Sequence, residues 1–406
     1  MLKNIIPARH QSVDYNWPVK DKNIANELKD YYYNYSNGKN GLPDSIENLE
    51  KSFCKFNKSK YSLALSSCTA ALHIAYLSLG IEKDDEVIIS NYTFPATAIP
   101  LFLIGAKPIL CDVDRVDVNI DVNEIEKLIT KKTKAITVTH WWGQPCDMEK
   151  ICKLVKKYKL KLIEDCAHAP GAKYKNKLVG TFGDFGCFSF DNNKLLAAGE
   201  GGILVTNNNK YYQKAILLSD FGPRLNKSIK LLNLKNFIET GLGTKYRIHF
   251  LAAKIALIKL QKINKLNLER RMVFNYFSEK LKSSKLLVSP KNKKFFTRGG
   301  YYGYKVLMKK NEYIDIKKFI LILKSKKVDA RRTATPPLHL TKTFKNQNIK
   351  KFFKNYFFRY NSHNLKNSEW FHKNHISFPS FYKKEHKKII DEYVRIILAI
   401  EKSLKI

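Results

Sequence analysis

Lys194 is one of 73 Lys+Arg in a chain of 406 residues, so its residue type says nothing and its placement must. It follows the apolar run Gly186–Phe190 and precedes a small-residue loop, Ala197-Ala198-Gly199-Glu200-Gly201-Gly202. A lysine shielded from water and close to other positive charge loses proton affinity and becomes the nucleophile that forms an imine with an aldehyde. Asp165 closes a mostly apolar run, Leu160–Ile163. In a parallel sheet that position is the carboxyl edge, where ligands bind, and a carboxylate there could pair with a protonated heterocycle nitrogen. The plain alternative is a helix-capping or structural Asp. Thr69, in Ser67-Cys68-Thr69-Ala70-Ala71, opens a helix directly after a strand. Such a start presents backbone N–H groups and a positive dipole end to a phosphate, or it is an ordinary N-cap.

The elements that would position these groups follow from patterning. From Tyr61 to about Asn207, short β-rich runs alternate with helical segments, the signature of a parallel sheet covered by helices. Strands are predicted at Ser62–Leu65, Glu86–Ser90, Lys107–Val113, Ala135–Thr139, Lys161–Glu164, Gly186–Phe190 and Gly202–Thr206, with helices at Thr69–Leu79, Asn123–Thr130 and Met148–Tyr158. Several strands are apolar on both faces, which suits burial between two helical layers. Residues 210–247 read as irregular and polar, with Gly222-Pro223 and Gly241-Leu242-Gly243 as loop signals. A long helical pattern from Phe250 to about Lys282 would bridge to a smaller α/β unit: strand Tyr301–Met308, helix Asp315–Lys324, strand Ile376–Pro379 and helix Glu385–Leu404. Before the sheet, helices are predicted around Asp21–Tyr32 and Asp44–Phe56, with a turn at Asn37-Gly38.

Taken together, SSCTAALH, DDEVIISNYTFPATA, GAKPILCDVD, TKAITVTHWWGQPCDM, LIEDCAHAPGAKYKNKLVGTFGD, CFSFDNNK and AGEGGILVTN resemble the DegT/DnrJ/EryC1/StrS family of sugar aminotransferases. The likeness is nearly continuous from about Ser62 to Asn207 and weaker over most of the remaining chain. It implies the α/β fold type I of enzymes dependent on pyridoxal 5'-phosphate (PLP), with a large, mostly parallel sheet domain and a smaller α/β C-terminal domain. The corresponding division is 1–60 as an N-terminal segment joining the small domain and the site entrance, 61–265 as the cofactor-binding domain and 266–406 as the small domain. The resemblance makes Lys194 the lysine bonded to the cofactor aldehyde and Asp165 the partner of the pyridine nitrogen. Phe94 takes the place of the aromatic that stacks on the ring. Thr69, with the backbone at Cys68 and Ala70, falls at the phosphate turn, Ser189 matches a further phosphate contact, and His168 stands where the family has Gln or His beside the cofactor. Cys68 replaces the glycine of the usual Ser-Gly-Thr turn, removing some backbone freedom. In Gly243-Thr244-Lys245-Tyr246-Arg247, Lys245 replaces the Asn of a loop that reaches the phosphate from the neighbouring subunit; a lysine can serve phosphate as a point charge.

The implied reaction transfers an amino group from an amino acid, with glutamate as the expected donor, to a keto-sugar that is nucleotide-linked, in amino-sugar or surface-glycan biosynthesis. A homodimer is expected. Two rivals share the scaffold: a sugar dehydratase, in which histidine replaces the lysine, and a noncatalytic sugar-binding or regulatory protein. Substrate recognition is expected from Tyr35–Asn40, the loop after Asp220 and Pro336-Pro337-Leu338-His339.

Composition sets the outer bounds. The formal charge is +37; residues 261–406 hold 36 Lys+Arg against 10 Asp+Glu, leaving +11 for the rest. Lysines scattered among Asn, Ile, Phe and Tyr carry no nucleic-acid-binding motif, so no nucleic-acid partner is expected and compositional bias is the plainer account. Seven cysteines at irregular spacings argue against a disulfide framework or a metal site. No apolar run approaches the about 20 residues of a membrane span, and no secretory signal stands in Met1–His10. A cytoplasmic protein is expected.

Overall fold

The computed structural model describes residues 5–8, 22–39, 41–290, 293–333, 335–345 and 365–406. Asp21, Asn40 and much of Met1–His10, on which expectations above fall, lie outside them. The strands of the main sheet and its insertions are β1 (Tyr61–Leu65), β2 (Glu86–Ser90), β3 (Lys107–Cys111), β4 (Thr133–Thr139), β5 (Lys161–Asp165), β6 (Lys173–Tyr174), β7 (Lys177–Leu178), β8 (Phe185–Ser189) and β9 (Gly202–Thr206). Strands β10 (Leu287–Val288), β11 (Phe296–Thr297), β12 (Tyr304–Met308) and β13 (His375–Phe378) follow.

The large sheet runs β1-β9-β8-β5-β4-β2-β3. Strands β2, β3, β4, β5 and β8 pair in parallel, while β9 runs antiparallel to both its neighbours, β1 and β8. Period-two patterning cannot show direction, so this one reversal is visible only in the pairing. Its consequence is geometric: the carboxyl ends of β1, β2, β4, β5 and β8 share one edge with the first residue of β9, and Gly202 sits opposite both Leu65 and Ser189. The predicted two-sided burial is present in β2, where Val87, Ile88 and Ile89 are all fully buried.

Helices α1 (Lys22–Asn34) and α2 (Asp44–Asn57) precede the sheet, and α3 (Cys68–Ser78), α4 (Ile99–Ile104), α5 (Val122–Leu128) and α6 (Met148–Tyr158) connect its strands. The stretch expected to be irregular from 210 instead contains α7 (Asn209–Ser219), α8 (Pro223–Ser228) and α9 (Leu232–Lys235). Asn208 caps α7 by accepting from Lys210 and Tyr211 N–H groups, and Ala215, Ile216 and Leu217 are buried. Tyr211 and Tyr212 also pack against the core, and the interspersed Asn209, Lys210, Gln213 and Lys214 conceal that apolar face in the sequence.

The bridging helix is α10 (Phe250–Lys280), about 46 Å long at 1.5 Å per residue. Its first half buries Ala253, Ala256, Leu260 and Ile263 with Leu49 and Phe53 of α2. Its second half buries Val273, Phe274 and Phe277 in a separate core. That core includes Tyr304 and Ile376 from the antiparallel sheet β10-β12-β13, Phe319 and Leu323 from α11 (Ile316–Ser325), and Tyr393 and Ile397 from a later helix, Lys387–Ser403. Strand β12 starts at Tyr304 and not at the expected Tyr301. Tyr301 adopts φ +45° and its carbonyl, like that of Gly300, accepts from the buried Arg270 guanidinium of α10. This anchor turns residues 301–303 toward the large sheet. The short α12 (Lys342–Lys345) and α13 (Lys366–Asn374) come before β13, and the last helix, α14 (Lys387–Ser403), completes the order.

Candidate active site

The sheet edge gathers the sequence-predicted groups around one cavity of about 770 Å³, whose lining includes Cys68, Thr69, Phe94, Asp165, His168, Ser189 and Lys194. Ala70 and Lys245 are not on that wall. Ala70 is buried and its N–H donates to the Ser67 Oγ cap at 3.0 Å, while Lys245 is exposed.

Lys194 stands five residues beyond the end of β8. Its Nζ lies 3.0 Å from His168 Nε2 and 4.5 Å from the centre of the Tyr302 ring. The Trp142 backbone N–H donates to His168 Nδ1 at 3.3 Å. Burial, aided by Lys194 and Lys305, pushes the His168 pKa well below its ordinary value, so the imidazole is neutral. Its Nδ1 accepts from the Trp142 N–H, and its Nε2 faces Lys194 Nζ. The imidazole is clamped between rings: it stacks on Tyr302 at 3.9 Å and 11°, and Trp141 lies 4.8 Å away on a tilted plane.

Asp165, at the end of β5, is 4% exposed. Thr97 Oγ1 donates to its Oδ2 at 2.8 Å and the Ala167 N–H to its Oδ1 at 3.1 Å. Burial raises its pKa despite these donors and Lys194; a cation docked against it would restore the charged form. The preceding residue points through the other face of the sheet. Glu164 accepts from the N–H groups of Gly180, Phe182 and Gly183 and contacts His140 Nε2 at 3.0 Å, bracing the loop that leads into β8.

Ser67 starts α3 from an extended conformation, and the N–H groups of the first turn, at Cys68 and Thr69, have no partner within the helix. Gly202 packs beneath this turn. A Cβ there would lie 2.4 Å from Cys68 N and 2.5 Å from the Ser67 carbonyl carbon, so the absence of a side chain lets β9 approach the turn. Ser189 completes this corner. Phe94 is 55% exposed although it borders the cavity, presenting an aromatic face with room for a flat partner. An electron-accepting heterocycle carrying an aldehyde and a phosphate fits this set: Lys194 for the aldehyde, Asp165 for a ring cation, Phe94 for the ring face and the start of α3 for the phosphate.

The opposite wall comes from the small unit. Tyr302, Lys305, Arg331 and Arg332 line the cavity, and none was singled out from sequence. The Gly299-Gly300 pair before Tyr302 was the available signal for a turn entering the site. His339, expected near substrate, is buried instead: it contacts Asn91 and its Nε2 lies 3.0 Å from Glu369. This ties Leu338 and His339 to the loop carrying Phe94. The conformations at Asn40 lie outside the described residues, and Tyr35 is exposed.

The family model for DegT/DnrJ/EryC1/StrS aminotransferases matches residues 21–395. A GDP-perosamine synthase of Escherichia coli O157:H7 is 36% identical over 264 residues, covering 65% of this chain and 69% of that protein. Among solved structures, an aminotransferase from Psychrobacter cryohalolentis superposes with a TM-score of 0.84 at 24% identity, covering 96% of this chain and 99% of its own. An E. coli GDP-4-keto-6-deoxy-D-mannose-3-dehydratase with bound hydrated PLP gives 0.81 at 23% identity, covering 97% and 100%. A match over nearly the whole chain, on a sheet that assembles the expected site edge, establishes that this protein belongs to the DegT/DnrJ/EryC1/StrS aminotransferase family.

Proposed function

We propose that this chain is a PLP-dependent aminotransferase that carries an amino group from an amino acid, with glutamate as the donor, to the keto carbon of a nucleotide-linked sugar. The observation that carries this reading is the placement of Lys194 and Asp165 on one cavity wall, with the bare face of Phe94 beside them. When bound, pyridoxal 5'-phosphate supplies an electron-accepting ring that stabilises negative charge at the carbon losing its proton. Lys194 would hold that group through Nζ, and Asp165 would keep its ring nitrogen protonated. Phe94 would support the ring, and Cys68 N, Thr69 and Ser189 would receive the phosphate. His168 would hydrogen-bond the ring hydroxyl through Nε2, which faces the cavity beside Lys194. Once displaced by the donor, Lys194 Nζ takes the proton from the donor's α-carbon; in the second half it delivers a proton to the sugar carbon that receives nitrogen. The products are a keto acid and an amino sugar.

The presence of lysine at 194 favours transfer over dehydration. A second copy would complete the site. Lys245 is exposed outside its own cavity, on a stretch that also exposes Phe221, Leu232, Phe237 and Leu242, which supports a homodimer in which Lys245 reaches the neighbouring phosphate. Among the described residues no helix is long and apolar enough to cross a membrane, in keeping with a cytoplasmic setting for nucleotide-sugar chemistry.

The test is to load the protein with PLP, add glutamate and follow cofactor absorbance, then offer a panel of nucleotide keto-sugars and follow amine formation. Glutamate is expected to discharge the aldehyde absorbance; if neither glutamate nor another amino acid does so, the reading falls. Lys194→Ala should lose the borohydride-fixed cofactor and at least about 10²–10⁴-fold in rate. A retained fixed cofactor would move the role to another lysine.

A further inference from the structure

The small-unit wall of the catalytic cavity carries a hydroxyl whose hydrogen-bonding sense is set from behind. Thr333 borders that cavity, and its Oγ1 lies 2.7 Å from His375 Nε2. The other ring nitrogen, His375 Nδ1, lies 2.9 Å from the Phe371 carbonyl oxygen. A carbonyl oxygen can only accept, so Nδ1 carries a proton. His375 is fully buried, and burial, aided by Lys305, His372 and Arg332, pushes its pKa down to about 3 against the pull of that carbonyl. The ring is therefore neutral, its one proton is on Nδ1, and Nε2 offers a lone pair. Thr333 meets that lone pair by donating its only hydroxyl proton. Thr333 Oγ1 can then accept a hydrogen bond but not give one.

The frame around this pair fixes it. His375 opens β13, and Phe371 lies in the last turn of α13, where carbonyls have no partner within the helix. The two rings stack at 4.7 Å and 11°. The residues before Thr333 are bound to the same segment: Arg331 and Ser377 exchange backbone hydrogen bonds at 3.0 and 2.7 Å, and the Arg332 guanidinium donates to the His372 carbonyl. Among the described residues Thr333 Oγ1 has no second hydrogen-bond partner. Ser377, also on the cavity wall, is the opposite case, since its Oγ accepts from Lys305 Nζ and keeps its proton to give.

We propose that Thr333 is a specificity-determining residue that accepts a hydrogen bond from a hydroxyl of the keto-sugar, and that His375 is a positioning residue that sets the direction of that bond. This rests on the aminotransferase reading for its substrate and adds which polar group the substrate must carry. A keto or phosphate oxygen placed at Thr333 would face a lone pair, whereas a sugar hydroxyl would donate to one. An acceptor left unmet when substrate seals the wall from water is penalised, so a sugar lacking that hydroxyl is selected against.

Two measurements on the full-length protein test it. Nitrogen-15 NMR of histidine-labelled protein at neutral pH, with His375→Phe to assign the signal, should show a neutral His375 ring protonated at Nδ1. A ring protonated at Nε2 would return the hydroxyl proton to Thr333 and overturn the proposal, whatever the substrate. The second measurement uses the nucleotide keto-sugar that the parent protein aminates fastest, with its monodeoxy analogues. Thr333→Val should lower kcat/KM for that sugar about tenfold, the scale of one hydrogen bond, chiefly through KM, and Thr333→Ser should restore most of the loss. One monodeoxy analogue should lose a similar factor in the parent and nothing further in Thr333→Val. His375→Phe keeps the stack on Phe371 and frees the Thr333 proton, so discrimination against that analogue should narrow, which a purely structural role would not produce. Equal discrimination among the analogues in parent and Thr333→Val overturns the proposal, as does an equal loss in the glutamate half-reaction. If glutamate fails to discharge the cofactor absorbance of the parent, the aminotransferase reading falls, and the ring measurement still decides whether His375 holds the Thr333 proton.

Discussion

The two walls of the catalytic cavity are built by different rules. The large-sheet wall is made of strand ends: Asp165 closes β5, Ser189 closes β8, and Thr69 and Phe94 lie within four residues of the ends of β1 and β2. Each sits in or just beyond an element packed into a buried apolar core, and Asp165 is further held by Thr97 and Ala167. The small-unit wall is made of a turn and a loop. Tyr302 is delivered by Arg270 gripping the Gly300 and Tyr301 carbonyls. Arg332 is held by the His372 carbonyl. The difference separates tasks: the first wall has the rigidity to hold one cofactor in one pose, and the second has the charge and the shape freedom that a substrate's identity demands.

The sharpest way to break this division is at Asp165. If the first wall acts on the ring, Asp165→Asn removes the charge that keeps a ring nitrogen protonated while preserving shape. The glutamate half-reaction should fall by about 10²–10³-fold, the scale for losing one preorganised electrostatic partner, with cofactor content nearly unchanged. An equally fast half-reaction would show that Asp165 only braces Thr97 and the following loop.

Gly202→Ala tests the rigidity of the same wall. The added methyl would meet the backbone of Ser67 and Cys68, which cannot rotate aside as a side chain can. Overpacking of this kind costs about 1–3 kcal/mol. Because the strain falls on the proposed phosphate turn, cofactor affinity should drop by about tenfold or more alongside the folding midpoint. A lower midpoint with cofactor affinity intact would place the phosphate elsewhere.

The first wall was legible because local signals coincide with position: an apolar run marks a strand, its last residue marks the edge, and the family resemblance orders the edges. The same logic separates Asp165 from Glu164 only by strand alternation, and nothing local reveals that Glu164 gathers three backbone N–H groups across the other face. The reversal of β9 was hidden for a related reason, since a buried strand has the same composition in either direction. α7 was missed because its three consecutive buried residues, Ala215–Leu217, sit among Lys and Tyr. The second wall was legible only as the Gly299-Gly300 turn before Tyr302. Tyr302, Lys305, Arg331 and Arg332 share the cavity through the packing of β12, β13 and α10, and in a chain so rich in lysine and arginine no cation announces itself.

The smallest expected effect lies where the walls touch. Tyr302 crosses from the small unit to stack on His168 and to place its ring against Lys194 Nζ. An aromatic stack contributes about 0.5–1.5 kcal/mol beyond area burial, which converts to roughly 2–13-fold in rate if it orients His168 and Lys194 during proton transfer. Tyr302→Phe keeps the ring and should therefore stay close to the parent. Tyr302→Leu should slow both half-reactions by that factor without loss of cofactor, because the groups proposed to hold the cofactor belong to the other wall. Slowing confined to the keto-sugar half would instead assign Tyr302 to substrate contact, and the two walls would then divide their tasks cleanly at the His168–Tyr302 stack.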